Sequence, residues 1–171
     1  MNFDLVYDFL RDEHGVYVLV YMPLLLVFAG VLMLVSWVNK RRRGESTTVM
    51  HLAMGIILSL VCGWLFVDVY LYHKKEYSIT RDVYLSGEYE VLEGRVSGMC
   101  IMPANGNRNE IVYIEGFRFE YSDYSYDYYG YKNAKVFGGA FEVGRYVKLW
   151  YFRRRGRNVI LRLEVDAHEN K

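Results

Sequence analysis

Cysteine is nearly missing from this chain: 171 residues carry two, Cys62 and Cys100. Cys62 falls inside an apolar run and Cys100 in polar sequence, so a bridge between them would have to cross from lipid to water. Free thiols are expected at both, Cys62 as packing and Cys100 as a small pointer to the reducing side of a membrane. Histidine is scarce too, and His14, His51, His73 and His168 show no ligand spacing with each other or with cysteine. No nucleophile elbow, phosphate loop or Cys/His pair is present, and Gly138, Gly139 and Gly144 have the wrong spacing and no following helix to hold a phosphate. Neither catalysis nor a cofactor is expected. An excess of one charge is also lacking: from His73 onward 16 Lys and Arg stand against 14 Asp and Glu. No field exists there to gather nucleic acid or an acidic substrate, so nucleic acid is not expected as a partner.

What the chain does have is two long apolar runs on either side of Lys40, Arg41, Arg42 and Arg43. A bilayer core about 30 Å thick takes roughly 20 apolar residues per helix, and both runs suffice. The pattern predicts an acidic lead-in over 1–15, a two-helix transmembrane hairpin over 16–72 and a polar connector over 73–88. The hairpin has spans of about 16–38 and 49–72, joined by a basic loop at 39–47. In the lead-in Phe3, Val6, Tyr7 and Leu10 have helical spacing, consistent with an interfacial helix over 2–12. Its four acids and single Arg do not fit a secretory signal, so the first run is read as a retained anchor. Pro23 lies near the entry of the first span, where it costs least. Tyr17, Tyr21, Trp37, Trp64, Tyr70 and Tyr72 stand near the span ends, at headgroup level.

In the second run Gly55, Ser59 and Gly63 are four apart and share one face, a pattern that lets helices approach closely in lipid. The stripe either receives the first span of the same chain or mediates self-association. His51 and Asp68 lie about one turn from the ends of the run and are read as solvated. The four cations of the short loop argue that it faces the cytoplasm, which puts the C-terminal part outside; Lys74, Lys75 and Arg81 pull the other way.

Beyond the connector the signal turns to β. Tyr89–Ser97 alternates, Gly98–Asn109 reads as a loop, and Ile111–Ile114 with Phe117–Tyr121 forms a hairpin around Glu115-Gly116. Within the connector, Val83–Leu85 also reads as a short strand. Tyr146–Phe152 and Val159–Val165 flank a turn of Arg153, Arg154, Arg155, Gly156 and Arg157. Short strands with one apolar face in under 100 residues predict a small antiparallel β-barrel, OB-like, over 89–166, with a tail at 167–171. The fold class is therefore membrane α plus all-β.

The residues from Gly87-Glu88-Tyr89 and Leu92-Glu93-Gly94-Arg95-Val96 lead to Ile114-Glu115-Gly116-Phe117-Arg118-Phe119 and Tyr121-Ser122-Asp123-Tyr124. Gly138-Gly139, Gly144 and the closing run Val159 to Val165 follow. This succession resembles a family of small uncharacterised bacterial two-span membrane proteins with a C-terminal OB-like β-barrel. Ser125–Tyr129 is an insertion relative to that pattern, and Ile111-Val112 replaces a Ser-Phe pair. The resemblance implies an inner-membrane location and an architecture, with no activity attached. The layout is also similar to that of bacterial antiphage effectors that sense a cyclic nucleotide.

Function then rests on Tyr121, Tyr124, Tyr126, Tyr128, Tyr129 and Tyr131, interleaved with Ser, Asp and Gly. This mixture suits recognition loops because tyrosine offers area with few rotamers to freeze. The rings either engage a protein partner or, on a long hairpin, cover the barrel end or sit on the membrane interface. Glu120, Asp123 and Asp127 are too few donors to predict a metal site. The four arginines of the last turn are read as solvated, with anionic headgroups or a phosphate-bearing ligand as the alternative. The expectation is a membrane-anchored, non-catalytic binding or scaffold module for a protein partner, its second span open to self-association. The competing expectation is a defence effector gated by a nucleotide-type ligand.

Overall fold

Residues 2–13 and 17–167 are described by a computed structural model. His14, the first residue of the expected first span at Val16, and the tail from His168 lie outside them. The chain divides into two units, 16–75 and a second made of 1–15 together with 76–171.

The first unit holds two helices long and apolar enough to cross a membrane. A 3-10 turn over Val18–Tyr21 leads into α2, Met22–Arg42, with Pro23 in its first turn. A short helix, α1 (Phe9–Asp12), belongs to the second unit. At 21 residues α2 is about 32 Å long, close to one bilayer core. Little of either helix is buried: Leu25 is 63% and Leu60 69% exposed, values out of place in the core helix of a soluble protein.

The basic stretch expected from the sequence to be a loop over 39–47 is instead helical as far as Arg42. Lys40, Arg41 and Arg42 form the last turn of α2, where cations oppose the negative end of the helix dipole. Gly44 (φ +71°) then closes the helix: its N–H donates to Arg41 O at 3.2 Å, and Glu45 N–H donates to Lys40 O at 3.1 Å. This paired arrangement needs the left-handed residue that glycine supplies.

α3 runs Val49–Ser86, 38 residues without a break. It absorbs the expected connector as far as Ser86, and the stretch considered for a strand at Val83–Leu85 is helical. Gly30, buried on α2, lies in close contact with α3. A Cβ there would come within 3.0 Å of Gly55 O and 3.1 Å of Ser59 N, whereas nothing lies within 4 Å of one at Gly63. The small-residue stripe thus receives the first span through two of its three members. Tyr21, Phe66 and Tyr70 cluster near one end, with ring centroids 5.7–6.3 Å apart.

The second unit is a six-stranded antiparallel sheet in the order β1-β6-β5-β2-β3-β4. Its strands are β1 Phe3–Asp8, β2 Glu90–Cys100, β3 Glu110–Ile114, β4 Phe117–Tyr121, β5 Tyr146–Arg154 and β6 Arg157–Asp166. β2 serves two partners: Glu90–Arg95 pairs with β5 and Val96–Cys100 with β3, the register shifting between Val96 and Gly98 where the strand bends. The sheet is open, with β1 and β4 as its edges.

The N-terminal segment corrects the sequence expectation. Phe3–Asp8 is a strand paired with β6, from Phe3 opposite Asp166 to Asp8 opposite Arg162, and only Phe9–Asp12 is helical (α1). Phe9, outside the expected stripe, is fully buried between Tyr77 (5.5 Å) and Tyr84 (6.0 Å) of α3. The local helical spacing yields to the sheet edge that β6 leaves open.

Val112, Ile114, Phe119, Val147, Leu149, Leu161 and Leu163 line the sheet's inner face and are fully buried. Tyr129, Tyr131 and Phe141, from the coil between β4 and β5, complete this core. The last turn shrinks to Arg155-Gly156, a two-residue hairpin loop with both residues at positive φ. Arg154 and Arg155, expected to be solvated, instead bond Glu76 of α3. Arg155 Nη2 donates to Oε1 at 2.7 Å, and Arg154 donates to both oxygens at 3.1 and 3.3 Å.

Candidate functional site

The Tyr-rich segment begins where β4 ends and runs along the edge of β6. Gly130 allows this. At φ +147° it lies so close to β6 that a Cβ would meet Val159 Cγ1 at 2.7 Å and Ile160 O at 2.8 Å, and the next N–H, of Tyr131, donates to Ile160 O at 2.9 Å.

That placement turns most of the expected recognition tyrosines inward. Tyr121, Tyr128, Tyr129 and Tyr131 are buried, and only Tyr124 and Tyr126 are exposed. Tyr131 packs edge-on against Tyr121 (5.4 Å), Phe141 (5.6 Å) and Tyr7 (5.6 Å), while Tyr129 meets Tyr77 at 5.3 Å. As partner contacts these four are therefore corrected to core. Composition suggests a recognition loop, but a buried ring in contact with three others forms a core.

Burial sets the electrostatics of the segment. The Tyr131 hydroxyl is pushed up to about 12, chiefly by desolvation, and Tyr121 and Tyr128 are raised for the same reason, Tyr121 also by its bond to Glu110. Lys132 is pulled down to about 8 by desolvation. Its ammonium lies over the Tyr128 ring at 4.6 Å and donates to Ser125 O at 2.6 Å.

Beneath the segment lies a fully buried carboxylate, Glu110. It accepts from the Tyr121 hydroxyl at 2.7 Å, from Lys135 N–H at 2.9 and 3.1 Å, and from Met102 N–H at 3.4 Å. Lys135 opens a short 3-10 turn, Lys135–Phe137. Glu110 thereby fixes Val136 and Phe137 at the surface beside Tyr124, whose ring meets that of Phe137 edge-on at 6.0 Å. Tyr124 is 50% exposed and Phe137 48%. Ser122 Oγ accepts from Tyr124 N–H at 3.2 Å, and Asp123 accepts from Ala134 N–H at 2.7 Å, so the platform is braced on both sides. Sequence reading missed Phe137 and Val136; two apolar residues directly before a Gly pair were the available signal.

The acids weighed as cation ligands have separate duties. Glu120 accepts from Asn109 at 2.8 Å and pairs with Arg118 at 2.6 Å, Asp123 holds Ala134, and Asp127 pairs with Arg157 at 3.3 Å. Among the described residues no three His, Cys, Asp or Glu side chains gather as a ligand set. Those of this unit include no histidine. The exposed Tyr124–Val136–Phe137 platform suits apolar and edge-to-face contact. The chain matches no family model, no curated protein and no solved structure.

Proposed function

We propose that this is an inner-membrane protein of two passes whose β unit is a non-catalytic binding or scaffold module for a protein partner, engaged through Tyr124, Val136 and Phe137. The observation that carries the reading is this exposed aromatic platform, held in place by buried groups on the protein side. Rigid aromatics presented without freezing cost are the usual anchors of interfaces.

The pairing of β1 with β6 supports the two-pass topology. The chain before the first helix and the chain after the second join one sheet, so both must lie on the same side of a bilayer, which two crossings satisfy. The cations at the end of α2 favour the cytoplasm for that turn and the far side for the β unit. The architecture also suits the resemblance to small bacterial two-span proteins. In this reading the β unit acts as an OB-like barrel whose gap between β4 and β6 is bridged by Asn158 and Tyr131 rather than by a strand ladder.

Photo-crosslinking in bacterial cells tests the surface. A crosslinker at Tyr124 or Phe137 is expected to give one discrete protein adduct, while the same group at exposed Arg81 gives none. Equal labelling from all three positions, or none from any, removes the platform as an interface. An alkaline phosphatase fusion after Lys171 is expected to be active, and an inactive fusion would move the β unit to the cytoplasm.

A further inference from the structure

At the gap between β4 and β6 the two tight hairpin turns, Glu115-Gly116 and Arg155-Gly156, flank a cleft of about 370 Å³. Its fixed wall is aromatic. Tyr151 is buried, packs edge-on against Phe119 at 5.2 Å and tilts toward Phe117 at 6.2 Å, and its hydroxyl donates to Glu90 at 2.6 Å. Phe117 stands half exposed at the rim.

Three arginines line the same cleft: Arg118, Arg153 and Arg157. Arg118 pairs with the partly buried Glu120 at 2.6 Å and Arg157 with Asp127 at 3.3 Å in solvent-exposed geometry. Arg153 is exposed and its guanidinium has no hydrogen bond or ion pair among the described residues, although its neighbours Arg154 and Arg155 are both held by Glu76. The two acids of the lining are already engaged by the protein, Glu90 by Tyr151 and Glu120 by Arg118 and Asn109. The walls are fixed to each other, since Asn158 Nδ2 donates to Arg118 O across the gap at 3.0 Å.

We propose that this cleft binds a small phosphate ester that carries an aromatic ring, with Arg153 and Arg118 taking the phosphate and Phe117, backed by Tyr151, taking the ring. The guanidinium fork matches phosphate oxygens in pairs, and a ring face adjacent to it stacks any flat heterocycle. The volume fits one ring and one phosphate rather than an oligomer. The site is separate from the Tyr124–Phe137 platform and stands or falls independently of it.

Isothermal titration of the full chain in detergent with 5′-AMP, glycerol 3-phosphate and inorganic phosphate tests the site. 5′-AMP is expected to saturate, to bind more tightly than glycerol 3-phosphate, and to be displaced by inorganic phosphate. Arg153→Ala is expected to weaken 5′-AMP about tenfold, as loss of a charge-assisted contact does. Arg81→Ala removes the same charge from an exposed helix position outside the cleft and is expected to leave affinity within about twofold. Arg153 supports no other residue, so the melting temperature of its variant is expected to match the parent. No saturation by roughly 1 mM 5′-AMP overturns the proposal, as do equal losses in the two variants or equal binding of the two esters.

Discussion

The hydroxyl of Tyr84 donates to Asp8 Oδ2 at 2.7 Å, tying the last turns of α3 to a residue 76 positions earlier in the chain. Asp8 ends β1 and also caps α1 by accepting from Leu10 N–H at 3.0 Å, and the next residue, Phe9, fills the space between Tyr77 and Tyr84. The N-terminal segment is thus part of the β unit's core. Phe9→Ala is expected to destabilise that unit by about 3–5 kcal/mol, the cost of emptying a buried phenyl site. Tyr84→Phe removes one hydrogen bond and is expected to cost about 1 kcal/mol. Urea titration followed by near-ultraviolet circular dichroism checks both, and a Phe9→Ala midpoint equal to the parent's would place the N-terminus outside the core.

The titration of the tyrosines gives the unit a pH profile. Desolvation first, and then the bond to Asp8, push Tyr84 up to about 12; Tyr131 and Tyr151 also reach about 12, against 10.0 for the free side chain. A raised acid of this kind contributes its stability in full below pH 10 and loses it as pH climbs through 12. Lys132 works in the opposite sense. Lowered from 10.5 to about 8, it is charged at a cost below pH 8, and between 8 and 10.5 the unfolded chain holds more protons, so stability rises there. Melting temperature is expected to climb from about pH 8 to 10 and then fall. Lys132→Met should flatten the climb, worth on the order of 2 kcal/mol, and leave the fall. An unchanged climb in that variant would mean the ammonium is solvated.

How much of this was legible in the sequence depends on the length scale of the contact. The two apolar helices and the strands after Tyr89 were readable because burial in lipid or on one sheet face leaves a period in the residues themselves. The strand at Phe3–Asp8 was not, because its partner is β6, some 160 residues away. The helical tail of α3 was hidden for a similar reason. Glu76, Tyr77, Thr80 and Tyr84 have helical spacing, but they are polar or amphipathic types whose burial depends on Arg154, Phe9 and Asp8 being there to meet them. The tyrosine segment failed differently: its composition resembles a recognition loop, and only the approach of Gly130 to Ile160 shows that four of the rings point inward.

Glu76 shows what such a distant contact is worth. Its side chain is almost fully buried, and its two partners are partly exposed guanidinium groups. Glu76→Ala is expected to cost about 2 kcal/mol, because both arginines lose their acceptor while keeping access to water. Arg155→Ala, at the exposed end of the pair, is expected to cost under about 1 kcal/mol. Reversed magnitudes in a denaturant series would mean that the turn, not the acid, supplies the stability.

Glu110 connects the core to the proposed surface. Because it accepts from Lys135 N–H with both oxygens and from the Tyr121 hydroxyl, its removal strands one buried and one part-buried donor at once. Glu110→Ala is expected to destabilise the unit by about 3 kcal/mol and to release the turn that carries Phe137. Glu110→Gln keeps an acceptor and is expected to lose about half as much. The informative comparison is made at a temperature where both variants remain folded. Crosslinking from Phe137 should then fall several-fold in Glu110→Ala and little in Glu110→Gln, while crosslinking from Tyr124, braced separately by Ser122, changes less in both. Equal loss from the two positions would mean that the platform moves as one piece and that Glu110 acts only through overall stability.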